Sequence, residues 1–69
     1  MNMIPLDSSN VKSAGYDDES KVLVVEFKGG ARYQYDGVGR GEYEALVLSA
    51  SPGGYIAKAI KPKYQSTRL

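Results

Sequence analysis

The sequence predicts an α+β domain: an antiparallel meander of three to four strands followed by two short helices packed on one sheet face. Two observations carry this expectation. Between Lys21 and Tyr35, apolar residues alternate with period two, on β-branched and aromatic side chains, around a Gly29-Gly30 break. Between Tyr43 and Ile60 the period changes to three and four, in two runs divided by Ser51-Pro52. A chain of 69 residues supports one domain, so these two layers must close on each other.

The first segment, Met3 to Asn10, reads as a loop or irregular strand, and Pro5 keeps it off any central ladder position. Val11 to Tyr16 is a short strand ended by the acidic turn Asp17-Asp18-Glu19-Ser20. Lys21 to Phe27 is the clearest strand, with Leu23, Val25 and Phe27 on one face. Lys28-Gly29-Gly30 supplies the positive φ a hairpin needs, and Ala31 to Tyr35 returns with Tyr33 and Tyr35 facing inward. Gly37-Val38-Gly39-Arg40-Gly41 leads into a helix whose stripe is Tyr43, Leu46, Val47 and Ala50. Ser51 is placed as N-cap with Pro52 at the first helical position of a second helix, whose stripe is Tyr55, Ile56, Ala59 and Ile60. Pro62 ends that helix, and Tyr64 folds back onto the sheet. The expected domain is residues 1–64, with residues 65–69 a flexible, frayed tail.

What is missing restricts the chemistry. There is no Cys and no His, hence no disulfide, no thiolate nucleophile, no soft metal site and no side chain that titrates near neutrality unperturbed. Ser8-Ser9 has no base beside it, and Asp17, Asp18 and Glu19 fan apart in a turn, so no catalytic residue is assigned and no cofactor or metal is expected. Ser8, Ser9 and Asn10 are read as satisfying backbone groups where the strand begins. No apolar run approaches the roughly 20 residues of a membrane span, and Met1 to Pro5 lacks the pattern of a signal peptide. The expectation is a cytoplasmic protein that is not an enzyme.

Charge is segregated along the chain. Residues 1–57 hold five Lys/Arg against eight Asp/Glu, whereas residues 58–69 hold Lys58, Lys61, Lys63 and Arg68 with no acid. That basic end, extended by Arg32 on the outer sheet face, is the candidate surface for nucleic acid or another anion, against the plainer reading of a solvated helix face. Ser51-Pro52-Gly53-Gly54-Tyr55 is the candidate ligand-binding segment, because two glycines in a first helical turn cost about 1 kcal/mol each and imply a close approach. The approach is either to the sheet or to a ligand. The six tyrosines fit either a base-stacking platform or, with helices to cover them, a core; the core is favoured. The glycine-rich run 37–41 lacks the Lys-Ser/Thr of a phosphate loop, and Glu42 and Glu44 follow it, so it reads as a plain turn.

Taken in order, Ser8-Ser9-Asn10-Val11, Gly15-Tyr16-Asp17, Leu23-x-Val25-x-Phe27, Gly30-x-x-Tyr33-x-Tyr35-x-Gly37-Val38, Tyr43, Leu46 and Ala50-Ser51-Pro52-Gly53-Gly54-Tyr55 through Ile60 and Tyr64 resemble the KTSC domain. The resemblance covers residues 6–64. It implies small stand-alone bacterial or phage proteins and, through a family name taken from a C-terminal region of some lysyl-tRNA synthetases, a tRNA-associated link. It implies no reaction. Where the family pattern has Phe-Asn after the tyrosine of the second helix, this chain has Ile56-Ala57, so any contact made by that asparagine is absent. The expected function is a non-catalytic interaction module that binds RNA, tRNA-like or another nucleic acid, through its basic C-terminal helix. The alternative is a protein- or small-ligand-binding accessory protein acting on a host protein or a nucleotide signal. A homo-oligomer is compatible with either.

Overall fold

The computed structural model describes residues 1–69. Five strands form one antiparallel sheet in chain order: β1 (Met3–Pro5), β2 (Val11–Asp17), β3 (Val22–Phe27), β4 (Arg32–Asp36) and β5 (Ser66–Arg68). Two helical segments lie between β4 and β5. The first is α1 (Arg40–Leu48); the second is α2 (Pro52–Tyr55), which runs straight on into a π-helical segment, Ile56–Ile60.

Register explains which side chains are buried. Leu23 lies opposite Tyr35 and Val25 opposite Tyr33, while Tyr16 and Ala14 face Leu23 and Val25 from the other neighbour. Opposed residues share a face, so the alternation expected from sequence puts all of these on one side. The helices roof that side. Val11, Ala14, Leu23, Val25, Tyr35, Val38, Tyr43, Leu46, Ile56 and Ile60 make one buried cluster. The tyrosines are therefore core or core-edge: Tyr35 and Tyr43 are buried, and Tyr16 stacks on Tyr43 with centroids 5.0 Å apart while its hydroxyl donates to the Val38 carbonyl.

Several expectations need correction. The β3 strand starts at Val22 because Lys21 sits in the preceding turn with φ +58°. Its carbonyl there accepts the Val38 N–H at 2.9 Å, which seats Val38 in the core, a role the sequence reading did not give it. Helix α1 stops at Leu48, so Ala50 falls outside it and is exposed rather than part of the buried stripe. Ser51 occupies the N-cap position of α2, but its side chain makes no capping bond; its backbone carbonyl accepts the Tyr55 N–H instead. The register between β2 and β3 shifts between Val11 and Ser13, a bulge that turns Lys12 out to solvent.

The largest difference is at the two ends. Met3–Pro5, read as a loop or irregular strand, pairs with β2 on the outside edge, where Pro5 is tolerated because an edge strand needs donors on only one side. Residues 65–69, expected to fray, form the opposite edge. Ser66, Thr67 and Arg68 pair with Tyr35, Gln34 and Tyr33, and the Leu69 N–H donates to the Arg32 carbonyl at 2.9 Å. The turn Lys61–Tyr64 makes this return, since Tyr64 N–H bonds back to Ile60 O at 3.0 Å.

Deleting residues 66–69 is expected to lower Tm by about 4–8 °C, the equivalent of roughly 1 kcal/mol in a domain of this size. A melting curve identical to that of the full chain would show that β5 adds nothing to stability.

Candidate functional site

Where β4 and β5 meet the second helical segment, the two layers part. They leave a cleft of about 290 Å³ lined by Asn10, Phe27, Tyr33, Tyr35, Ala57 and Lys61, among others. Each wall follows from the fold. Phe27 is two residues beyond Val25 on the inner face, which sets it diagonal to Tyr33; the two rings meet edge to face with centroids 5.9 Å apart. Arg68 is the cross-strand partner of Tyr33 and holds its guanidinium 6.0 Å from that ring's centroid. On the opposite wall Ile56 is buried, Ala57 is exposed, and Lys61 is carried round by a wide turn in which its N–H donates to the Ile56 carbonyl at 2.8 Å.

The ligand-binding segment named from sequence divides in two. Ser51, Gly53 and Gly54 line a polar recess of about 340 Å³ with Ser8, Ser9 and Asn10. Tyr55 points elsewhere. Gly53 approaches the exposed Asn10 side chain closely: a Cβ there would meet the carboxamide, with Cγ at 3.1 Å, and would have to push it aside. Gly54 is freer, meeting only the Ser51 side chain. Of the three residues expected to satisfy backbone groups only Ser8 does so: its Oγ accepts the Val11 and Asn10 N–H groups at 3.3 and 3.4 Å and donates to Asn10 Oδ1 at 3.2 Å.

Tyr55 instead belongs to a cluster on Glu42. Its hydroxyl donates to Glu42 Oε2, and Oε1 accepts from Lys63 Nζ at 3.0 Å and from Tyr64 Oη at 2.9 Å. The Glu42 side chain is 16% exposed and the two tyrosine bonds are partly buried, while the Lys63 ammonium reaches it from solvent. These bonds hold its carboxyl below the usual carboxylate range, the Tyr55 bond contributing most, and raise Tyr55, Tyr64 and Lys63 for the same reason. Sequence reasoning saw Glu42 only as a charge that repels anions. Its partners lie 13 to 22 residues away with no periodic relation to it, so no local signal pointed to them.

The five basic candidates do not form one surface. Lys63 is bound to Glu42. Arg32 lies on the outer sheet face, 3.9 Å from Glu26, which Lys12 also approaches at 3.9 Å. Arg68 is on the inner face over Tyr33. Lys58 and Lys61 are exposed and have no acidic partner, Lys58 on the π-helical segment and Lys61 just past its end. Asn10 and Ala57, to which the sequence reading gave no binding role, also line the cleft, as does Gly53, one of the named ligand-binding residues.

The geometry defines a small α+β domain with one roofed sheet face and an open cleft at the edge of the roof. The family model for the KTSC domain matches residues 7–64, and the chain belongs to that family. It is 33% identical to a protein of Tsukamurella paurometabola over 97% of this chain and 100% of that one. It is 38% identical to a protein of Stutzerimonas stutzeri over 93% of this chain and 90% of the other. The crystal structure of a KTSC domain protein from Yersinia pestis superposes with a TM-score of 0.91 at 29% identity, covering 99% of this chain and 96% of that one.

The two glycines are expected to separate. Gly54→Ala gains helix propensity and should stabilise by up to about 1 kcal/mol, whereas Gly53→Ala must displace the Asn10 side chain and should gain clearly less. Equal effects in urea titrations would refute the close approach at Gly53.

The Glu42 cluster has a definite pH signature. A depressed Glu42 contributes stability above its unfolded value near 4.5, lost as pH falls through the lower folded value. The raised tyrosines contribute below 10.0, lost as pH rises through their higher folded values. Glu42→Gln should therefore cost about 1 kcal/mol at pH 7 and flatten the pH dependence of Tm at both ends. A variant whose Tm tracks the parent at every pH would show the cluster to be idle.

Proposed function

We propose that the protein is a non-catalytic module that binds single-stranded nucleic acid, RNA foremost, through the exposed side of the π-helical segment and the cleft beside it. The observation that carries this reading is the pair Lys58 and Lys61. Both are exposed and free of acidic partners, three residues apart in the chain, and Lys61 stands on the rim of an aromatic cleft. The reading narrows the basic surface expected from sequence to these two residues, joined by Arg68 beside Tyr33. Lys63 is engaged by Glu42, and Arg32 faces away on the other side of the sheet. A footprint of two or three cations gives weak, salt-sensitive binding.

Fluorescence anisotropy with a labelled single-stranded RNA at low salt tests it. The logarithm of affinity should fall with the logarithm of salt with a slope of about −0.7 per neutralised phosphate. Lys58→Ala and Lys61→Ala should each weaken binding and shallow that slope by about 1. Lys63→Ala should have less effect. Absence of binding at low salt, or binding indifferent to both lysines, would overturn the reading.

A further inference from the structure

We propose that the cleft holds a single unpaired nucleobase and that Lys61 takes the phosphate next to it. The unit recognised is a nucleoside monophosphate, presented either as a free nucleotide or as one link of a single strand. This deepens the nucleic-acid reading above and rests on it.

Four features of the cleft point to this chemistry. The first is aromatic lining, from Phe27, Tyr33 and Tyr35, with buried Ile56 across from them, which suits a flat ring and offers little to an extended polar chain. The second is charge: no acidic side chain lines the cleft, while Lys61 does and Arg68 stands over Tyr33. A neutral apolar guest would leave both cations unanswered, and an anion alone would leave the rings unused. The third is Asn10. Its Oδ1 is engaged by Ser8, but its amide donates to nothing in the chain, so donors stand ready for the acceptor edge of a base. The fourth is Tyr35. The residue is 4% exposed, yet its hydroxyl makes no hydrogen bond in the chain and no sealed polar atom is left unsatisfied. That hydroxyl must remain reachable from outside, and the cleft is the opening Tyr35 lines. Buried tyrosines ordinarily find a partner; here the partner is the guest.

The test compares four probes in low salt: a short single-stranded RNA, an abasic strand of the same length and charge, the same RNA as a duplex, and free AMP or UMP. The proposal expects the base-bearing single strand to bind on the order of ten-fold more tightly than the abasic and duplex forms, the usual worth of stacking one base. Tyr35→Phe should remove several-fold of that preference. Ala57→Glu, at an exposed lining position, should abolish it while leaving the fold intact by circular dichroism. Binding of free nucleotide without binding of the strand supports the cleft assignment, identifies the source as a free nucleotide, and overturns the polymer reading. Equal affinity for base-bearing and abasic strands overturns the cleft assignment and leaves the lysine reading standing. Absence of binding by every probe overturns both.

Discussion

The structure depends on one constraint: a five-stranded sheet of this size has a single inner face, and two short helices must cover it. Leu23 and Val25, fully buried at the sheet centre, set the requirement, and Leu46, Ile56 and Ile60 meet it from above. A chain of this length buries only about 60% of its unfolded surface, so each layer contributes a large share of the total. Neither disulfide nor zinc is available to supplement it. The supplement is polar instead. Glu42 on α1 receives Tyr55 from the second helical segment and Lys63 and Tyr64 from the turn after it, which ties the two parts of the roof together at one largely shielded carboxylate. Charge-assisted bonds of this kind are stronger than neutral ones. The roof is thus fixed both by what it buries and by a bond network at its outer seam.

Much of the central architecture was legible because it is periodic. The alternation Leu23, Val25, Phe27 against Tyr33, Tyr35 fixed the hairpin face, and the 3–4 spacing of Tyr43, Leu46 and of Ile56, Ile60 fixed the roof. The features that escaped are those without a period. Strands β1 and β5 are three residues long, too short to alternate visibly, and each exists because a neighbouring strand offers an unpaired edge. Val38 sits in a glycine-rich turn and reaches the core where Lys21, in a left-handed conformation, accepts its N–H. Ser51 resembles an N-cap by type and position, yet its backbone rather than its hydroxyl does the capping.

The candidate site was legible by half. Lys58 and Lys61 were visible as a basic run, and Gly53 as a glycine needing close approach. What the sequence did not provide was a way to sort the cations, since Lys63 and Arg68 look alike in a row of letters. One is bound to Glu42 and the other lies over Tyr33. Placing Lys63 required the fold of the turn onto α1, and placing Arg68 required the return of the chain as β5, the element the sequence reading treated as loose.

The π-helical turn links these points. Lys61 N–H bonds to Ile56 rather than to Ala57, and Pro62 has no N–H to give, while Lys63 and Tyr64 both bond back to Ile60. Residues 61–64 therefore send no backbone N–H to the carbonyls of Ala57 and Lys58, and the proline ring crowds the latter, four residues before it. Carbonyls left open this way are tolerable only where solvent reaches them, and both residues are exposed. The widened turn thus stays on the wet side of the helical segment. There Ala57 and Lys61, four residues apart, share one face and line the cleft together. Packing demands Ile56 and Ile60 on the inner side of this segment; the irregularity is confined to the side that packing leaves free, and that side is where the unpaired lysines stand.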